Sequence, residues 1–163
     1  MPSTSETFNA LVADLDYPMF IVTAADGDER AGCLVGFATQ CSIAPPRFLV
    51  CISAQNRTFG VAVGATALAV HFVPADADDL VELFGSRTGD EVDKFALCEW
   101  RPGAHGLPLL ERCPNRFVGR VLERLDGGDH FIFLLVPVAA ERGHPVQPFP
   151  FHRARRIEPG HEA

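Results

Sequence analysis

Three groups of residues have types and spacings suited to chemistry. Ser53, Asn56, Arg57 and Thr58 open a short apolar segment. Ser, Asn and Thr are helix-capping types, and a helix start leaves backbone N–H groups that suit an anion. Arg57 adds a permanent positive charge whose planar fork matches phosphate. The second group runs from Gly32 to Ser42. Its small and apolar beginning, Gly32-Cys33-Leu34-Val35-Gly36-Phe37-Ala38, turns polar at Thr39-Gln40-Cys41-Ser42. Glycine inside a strand often marks the close approach of a ligand or another backbone. The third group is Asp129-His130, where an imidazole at a turn can face a cleft and stabilise charge. Together they sketch a flat ligand beside strands, with a negative tail at the helix start. Each group also has a plain structural use, as a core strand with a polar bend, a helix cap or turn chemistry.

The elements that hold these groups are legible from periodicity. Ser5 to Leu15 places Phe8, Leu11, Val12 and Leu15 at helical spacing, with Ser3 or Ser5 as cap. Met19 to Thr23 reads as a strand, Asp26-Gly27-Asp28-Glu29 as a hairpin turn, Arg30 to Thr39 as the return strand and Phe48 to Ser53 as the next. Asn56 to Ala62 is a short helix, Ala67 to Val73 a strand, Asp76 to Phe84 a helix with an acidic start, and Asp90 to Leu97 a second short helix. Gly85 to Gly89 is read as a loop and Arg101 to Pro108 as irregular. Leu109 to Cys113 is a brief strand. Asn115 to Leu125 is a strand with Gly119 at a bend. Asp126-Gly127-Gly128-Asp129 is a second hairpin turn, and His130 to Ala139 an apolar strand. Pro137 lacks a ladder donor, which puts it at an edge or a bulge. Gln147 to Ile157 adds a last strand or lies on a partner. About six strands with interposed helices fit a small antiparallel barrel, whereas parallel units need regular alternation of strand and helix.

Length and charge narrow the functions. The 163 residues, 47% of them apolar, suffice for one domain with a real core. A net charge of −7 argues against broad nucleic-acid binding, and His152-Arg153-Ala154-Arg155-Arg156 is too short a basic patch to reverse that. The five cysteines, 33, 41, 51, 98 and 113, show no Cys-x-x-Cys pair. With no signal peptide at the start they read as reduced thiols of a cytoplasmic protein. No run approaches the length of a membrane span. His71, alone in an apolar strand, has no second ligand at metal-binding spacing and reads as a hydrogen-bonded core residue. Lys94 on a short helix reads as solvated. No Gly-x-Gly-x-x-Gly or Walker-type loop is present.

The segment GCLVGFATQCSIAPPRFLVCIS followed by NRTF, with the later Gly128-Asp129-His130, resembles the flavin-binding pattern of the flavin reductase-like family. The resemblance spans about Tyr17 to Ala140. It implies a mainly β fold with short helices, an antiparallel Greek-key split β-barrel, over the whole chain as one domain. It implies an NAD(P)H:flavin oxidoreductase with FMN, or FAD, as flavin, a homodimer, and a monooxygenase or other acceptor of the reduced flavin. Carried onto this chain, the flavin contacts are Gly36, Phe37, Ala38, Thr39, Gln40, Cys41, Ser42, Ser53, Asn56, Arg57 and Thr58. His130 is the catalytic candidate, near flavin or nicotinamide. Lys94-Phe95 resembles a Lys-Phe pair of the family. Gly36-Phe37-Ala38 departs from the family, where hydroxyl or amide side chains are frequent, so backbone contacts are expected there instead. Two readings stay open beside this one: a flavin-binding or electron-transfer module without NAD(P)H activity, and a split barrel that uses deazaflavin or haem.

Overall fold

The Asp26-Gly27-Asp28-Glu29 signal makes the first turn of the fold, with Gly27 in the left-handed region at φ 61°. The computed structural model describes residues 1–86 and 88–156. Before that turn come α1 (Thr4–Ala13) and β1 (Phe20–Asp26). After it come β2 (Glu29–Val35), β3 (Ala38–Ser42), β4 (Arg47–Ser53), α2 (Arg57–Ala62), β5 (Ala67–Phe72) and α3 (Asp78–Ser86). Then follow β6 (Trp100–Pro102), β7 (Pro108–Leu110), β8 (Asn115–Asp126), β9 (His130–Arg142) and α4 (Phe151–Ala154).

Seven strands form one antiparallel sheet in the order β2-β1-β5-β8-β9-β4-β3, and β6 and β7 form a small second sheet. The large sheet curls on itself. Phe20 of β1 and Phe48 of β4 are separated in the sheet by β5, β8 and β9, yet their rings meet edge to face at 5.5 Å. Phe48 in turn meets Phe117 of β8 at 5.2 Å. These rings, with Val22, Cys33, Val50, Ile52, Val70, Phe133 and Leu135, fill the barrel, and Val61 and Ala62 of α2 pack into the same core. Each such buried side chain contributes about 1.5–3 kcal/mol. A second core of Met19, Ile21, Leu80, Val81, Phe84, Phe95, Leu110 and Phe149 joins β1, α3, the β7 region and the tail. The fold class is the expected one.

Several local expectations are corrected. Arg30 to Thr39 is not one strand: the chain leaves β2 at Val35, crosses at Gly36-Phe37 and re-enters the sheet at its other edge as β3. The chain leaves the ladder at Gly36, where a side chain would press on Tyr17 and Met19. Asp90 to Leu97 keeps only a 3-10 turn, Lys94–Ala96, capped by Asp93. Arg101 to Pro108 supplies β6, a turn at His105 and Gly106, and the start of β7 instead of an irregular stretch. The tail makes no full strand. It is pinned by two bridges, Pro18 with Pro150 and Pro74 with Pro148, and then coils into α4. Ile157 and Arg87, which fall in the expected tail and loop, lie outside the described residues. Pro137 sits where β4 no longer pairs with β9, as the ladder partner of Gly119 and next to a bulge at Val138. Ser3 caps α1 in a full capping box with Glu6, but no residue of α1 is buried. Its Phe8 and Leu11, and Leu15 just after it, are exposed in the single chain.

Candidate functional site

The break at Gly36 opens a slot. It has a volume of about 320 Å³ and lies between the end of β2, the end of β4, α3 and α4. Cys33 to Phe37 form one wall, and Phe84 and Gly85 of α3 another. Tyr17 and Phe151, stacked at 4.5 Å and 12°, close a third side with Ala154 and Arg155. The tail is held there by backbone bonds on both sides, Phe151 N to Tyr17 O at 2.8 Å and Met19 N to Phe149 O at 2.8 Å. Burial keeps the thiols of this lining protonated: it pushes the Cys33 thiol up to about 11 and raises Cys51 as well. The Tyr17 phenol is raised by burial first and by Asp16 second.

Polar groups gather at one end, where Ser53, Asn56 and His130 line the slot. Ser53 and His130 are ladder partners of β4 and β9. The Ala54 N–H donates to the Asp129 carbonyl at 2.9 Å and locks the loop after Ser53 to the β8–β9 hairpin. The Asp129 carboxylate lies 2.7 Å from Nδ1 of His130, which orients the ring and leaves Nε2 as its second polar atom. The Phe37 ring packs against the imidazole at 5.0 Å. Asn56 caps α2 by accepting from the Thr58 N–H at 2.9 Å.

A second cavity of about 330 Å³ lies along the first half of β2, where the slot uses the second half. Arg57 and Thr58 line it with Arg30, Gly32, Lys94 and Phe95. Arg57 Nη1 donates to the Arg30 carbonyl at 3.0 Å, and its Nε stands 3.8 Å from Asp90. Lys94 corrects the expectation of a solvated lysine: it is buried, and its Nζ donates to the Gly32 and Phe84 carbonyls at 3.2 Å each. It clamps β2 to α3 and lines the second cavity. Burial lowers its pKa.

Of the residues singled out from sequence, Gly36, Phe37, Ser53, Asn56 and His130 share the slot. Arg57 and Thr58 face the neighbouring cavity. Ala38, Thr39, Gln40, Cys41 and Ser42 run along β3 at the sheet edge, outside both. Tyr17, Phe84, Phe151, Arg155 and Lys94 line the cavities without having been singled out as ligand contacts. The Lys94-Phe95 pair carried a signal for one of them, and the Phe-Pro-Phe of the tail carried none. His71 is a buried strut: Nδ1–H donates to the Ile21 carbonyl at 2.9 Å and Nε2 accepts from the Leu110 N–H at 3.1 Å. The five cysteines are free thiols. Among the described residues, no group of three or more His, Cys, Asp or Glu could hold a metal ion, and no helix is long and apolar enough to cross a membrane.

Residues 12–157 match the family profile of the flavin reductase like domain. An FMN reductase (NADH), RutF, of Klebsiella pneumoniae is 30% identical over 139 residues, which is 85% of this chain and 84% of that protein. HsaB of Mycobacterium tuberculosis, the reductase subunit of a flavin-dependent monooxygenase, is 29% identical over 130 residues, 77% of this chain and 66% of its own length. Among solved structures, the NADH:FAD oxidoreductase SgcE6 of Streptomyces globisporus superposes with a TM-score of 0.82 at 23% identity, covering 92% of this chain and 89% of that one. That last likeness speaks for the fold.

Proposed function

The chain belongs to the flavin reductase-like domain family, and from that membership we propose that it is an NAD(P)H-dependent flavin reductase. In this reading one domain per subunit binds FMN or FAD, accepts reducing equivalents from a nicotinamide, and passes reduced flavin to a monooxygenase or another acceptor. The active form is a homodimer, and the five free thiols fit a cytoplasmic setting.

The observation that carries the reading is the slot itself. It is walled by Tyr17, Phe84, Phe151 and the β2 backbone, and polar at the His130 end. A flavin ring needs such apolar faces and a few polar groups at its edge. A bound flavin supplies the hydride acceptor, and the chemistry asks the protein to hold two rings in contact rather than to provide a nucleophile. Gly36, Phe37 and Ala38 offer backbone groups to the ring. Thr39, Gln40, Cys41 and Ser42 offer theirs from the open edge of β3, the side on which a second subunit completes the site. Ser53, Asn56, Arg57 and Thr58 take the ribityl phosphate, with the Arg57 guanidinium as the charged contact. His130, oriented by Asp129, stabilises the charge that develops on reduction or positions the nicotinamide. The test is the absorbance spectrum of the purified protein, before and after anaerobic NADH and NADPH. A flavin spectrum that bleaches with either nicotinamide is expected. A protein that neither carries nor reduces added FMN or FAD overturns the reading.

A further inference from the structure

The cavity beyond β2 has more in it than the phosphate contact assigned to Arg57. Three cations line it: Arg30, Arg57 and Lys94. Lys94 is 4% exposed and has two carbonyl acceptors, and among the described residues no carboxylate pairs with it. An ammonium taken out of water without a counter-ion is costly, and an anion in the cavity that it lines relieves that cost. Arg30 is exposed, but its guanidinium is fixed, 4.7 Å from the centroid of Trp100 and 6.0 Å from that of Phe95. A planar cation fixed in this way offers a face on which a flat base stacks. The rim is of opposite sign: Asp28, Glu29, Asp90, Glu91 and Asp93 are exposed there. Carboxylates accept from ribose hydroxyls, and cations take phosphate. A cationic floor, a stacking face and a carboxylate rim are thus the complement of a nucleoside diphosphate.

The two cavities also adjoin. Gly32 lines one and Cys33 the other, and Asn56 and Arg57 divide in the same way.

We propose that the cavity around Arg30 and Lys94 seats the adenosine diphosphate half of a dinucleotide. The proposal rests on the flavin reading of the slot, and two dinucleotides carry this half, FAD and NADH. Riboflavin, FMN and FAD are titrated by flavin fluorescence into the wild type and Arg30→Ala. The KM for NADH is measured in both, and ADP binding is followed by calorimetry. Because Arg30 is exposed, the variant keeps its fold, and riboflavin binding verifies this. The expected result is that ADP binds the wild type and about tenfold more weakly the variant. If FAD binds about tenfold more tightly than FMN and loses that gain in the variant, the flavin is the source. If FAD and FMN bind alike and the KM for NADH rises in the variant, the nicotinamide dinucleotide is the source. Absence of ADP binding, or ADP binding that Arg30→Ala leaves unchanged, overturns the proposal. If no flavin binds at all, the slot reading falls and ADP calorimetry judges the cavity alone.

Discussion

Ser53 and His130 are direct partners across the antiparallel ladder of β4 and β9, although one follows the Pro-Pro bend and the other a Gly-rich hairpin. The imidazole is therefore positioned by strand pairing, not by a free loop. Asp129 then fixes the ring from one side at 2.7 Å, and Phe37 packs against it from another.

That placement makes His130→Ala a clean probe. The fold and most of the flavin affinity should survive, because the residue stands at the end of the slot and its backbone bonds are unaffected. Anaerobic stopped-flow bleaching of bound flavin by saturating NADH should slow by about tenfold to a hundredfold, below the largest losses for a fully buried donor. Bleaching at the wild-type rate, with nicotinamide affinity unaltered, would reduce His130 to a turn residue.

Arg57→Ala separates phosphate recognition from ring binding. Loss of one charge-assisted contact costs about 1.5–3 kcal/mol, so FMN affinity should drop about 10- to 150-fold. Riboflavin has no phosphate and should bind almost as before. Fluorescence titration of both ligands decides the matter. Equal losses for the two would mean that the contacts of Arg57 with Arg30 and Asp90 matter to the shape of the site instead.

His71 gives the fold a pH dependence unrelated to the slot. Burial pushes its pKa down to about 4 from the usual value of 6.5. The unfolded chain takes up this proton as pH falls below about 6.5, while the folded protein refuses it until about 4. The stabilisation is complete above the unfolded value and is lost as pH falls through that window. At full extent it amounts to about 3 kcal/mol. Urea unfolding at pH 7.5, 5.5 and 4.5 should show a falling midpoint. His71→Leu should be less stable at pH 7.5 by about 1–3 kcal/mol, because the Leu110 N–H loses its acceptor, and its midpoint should vary less with pH. An unaltered pH slope in the variant would assign the dependence to other groups.

Light scattering should find a dimer across a dilution series with flavin present. The open edge of β3 and the uncovered side chains of Phe8, Leu11 and Leu15 both leave surface for a second subunit. Obligate dimers commonly bury about 2,000 Å² or more. A monomer at every concentration would exclude the assembly.

Much of this architecture is legible in local signals. Asp26-Gly27 and Gly127-Gly128 announce the hairpins, Ser3 and Asn56 announce the helix starts, and Pro137 announces a fault in the ladder. What escaped depends on pairing between distant segments. Nothing in Arg30 to Thr39 says that its two halves belong to opposite edges of the sheet, because periodicity reports faces and not partners. Lys94 looks like any helix-surface lysine until α3 and β2 supply the two carbonyls that bury it. The slot suffered the same fate. Its β2 and His130 residues were legible, but Tyr17 and Phe151 enter it only because a proline-rich tail returns to β1.

That returning tail sets an order of events during synthesis. Every strand of the large sheet precedes Phe151, Ala154 and Arg155 in the chain. On the ribosome, all strands of the barrel have therefore been made before the residues that finish the slot. A nascent chain paused after Arg142 holds each strand of the sheet but lacks one wall of its candidate ligand site, so loading waits until Phe151, Ala154 and Arg155 have been made.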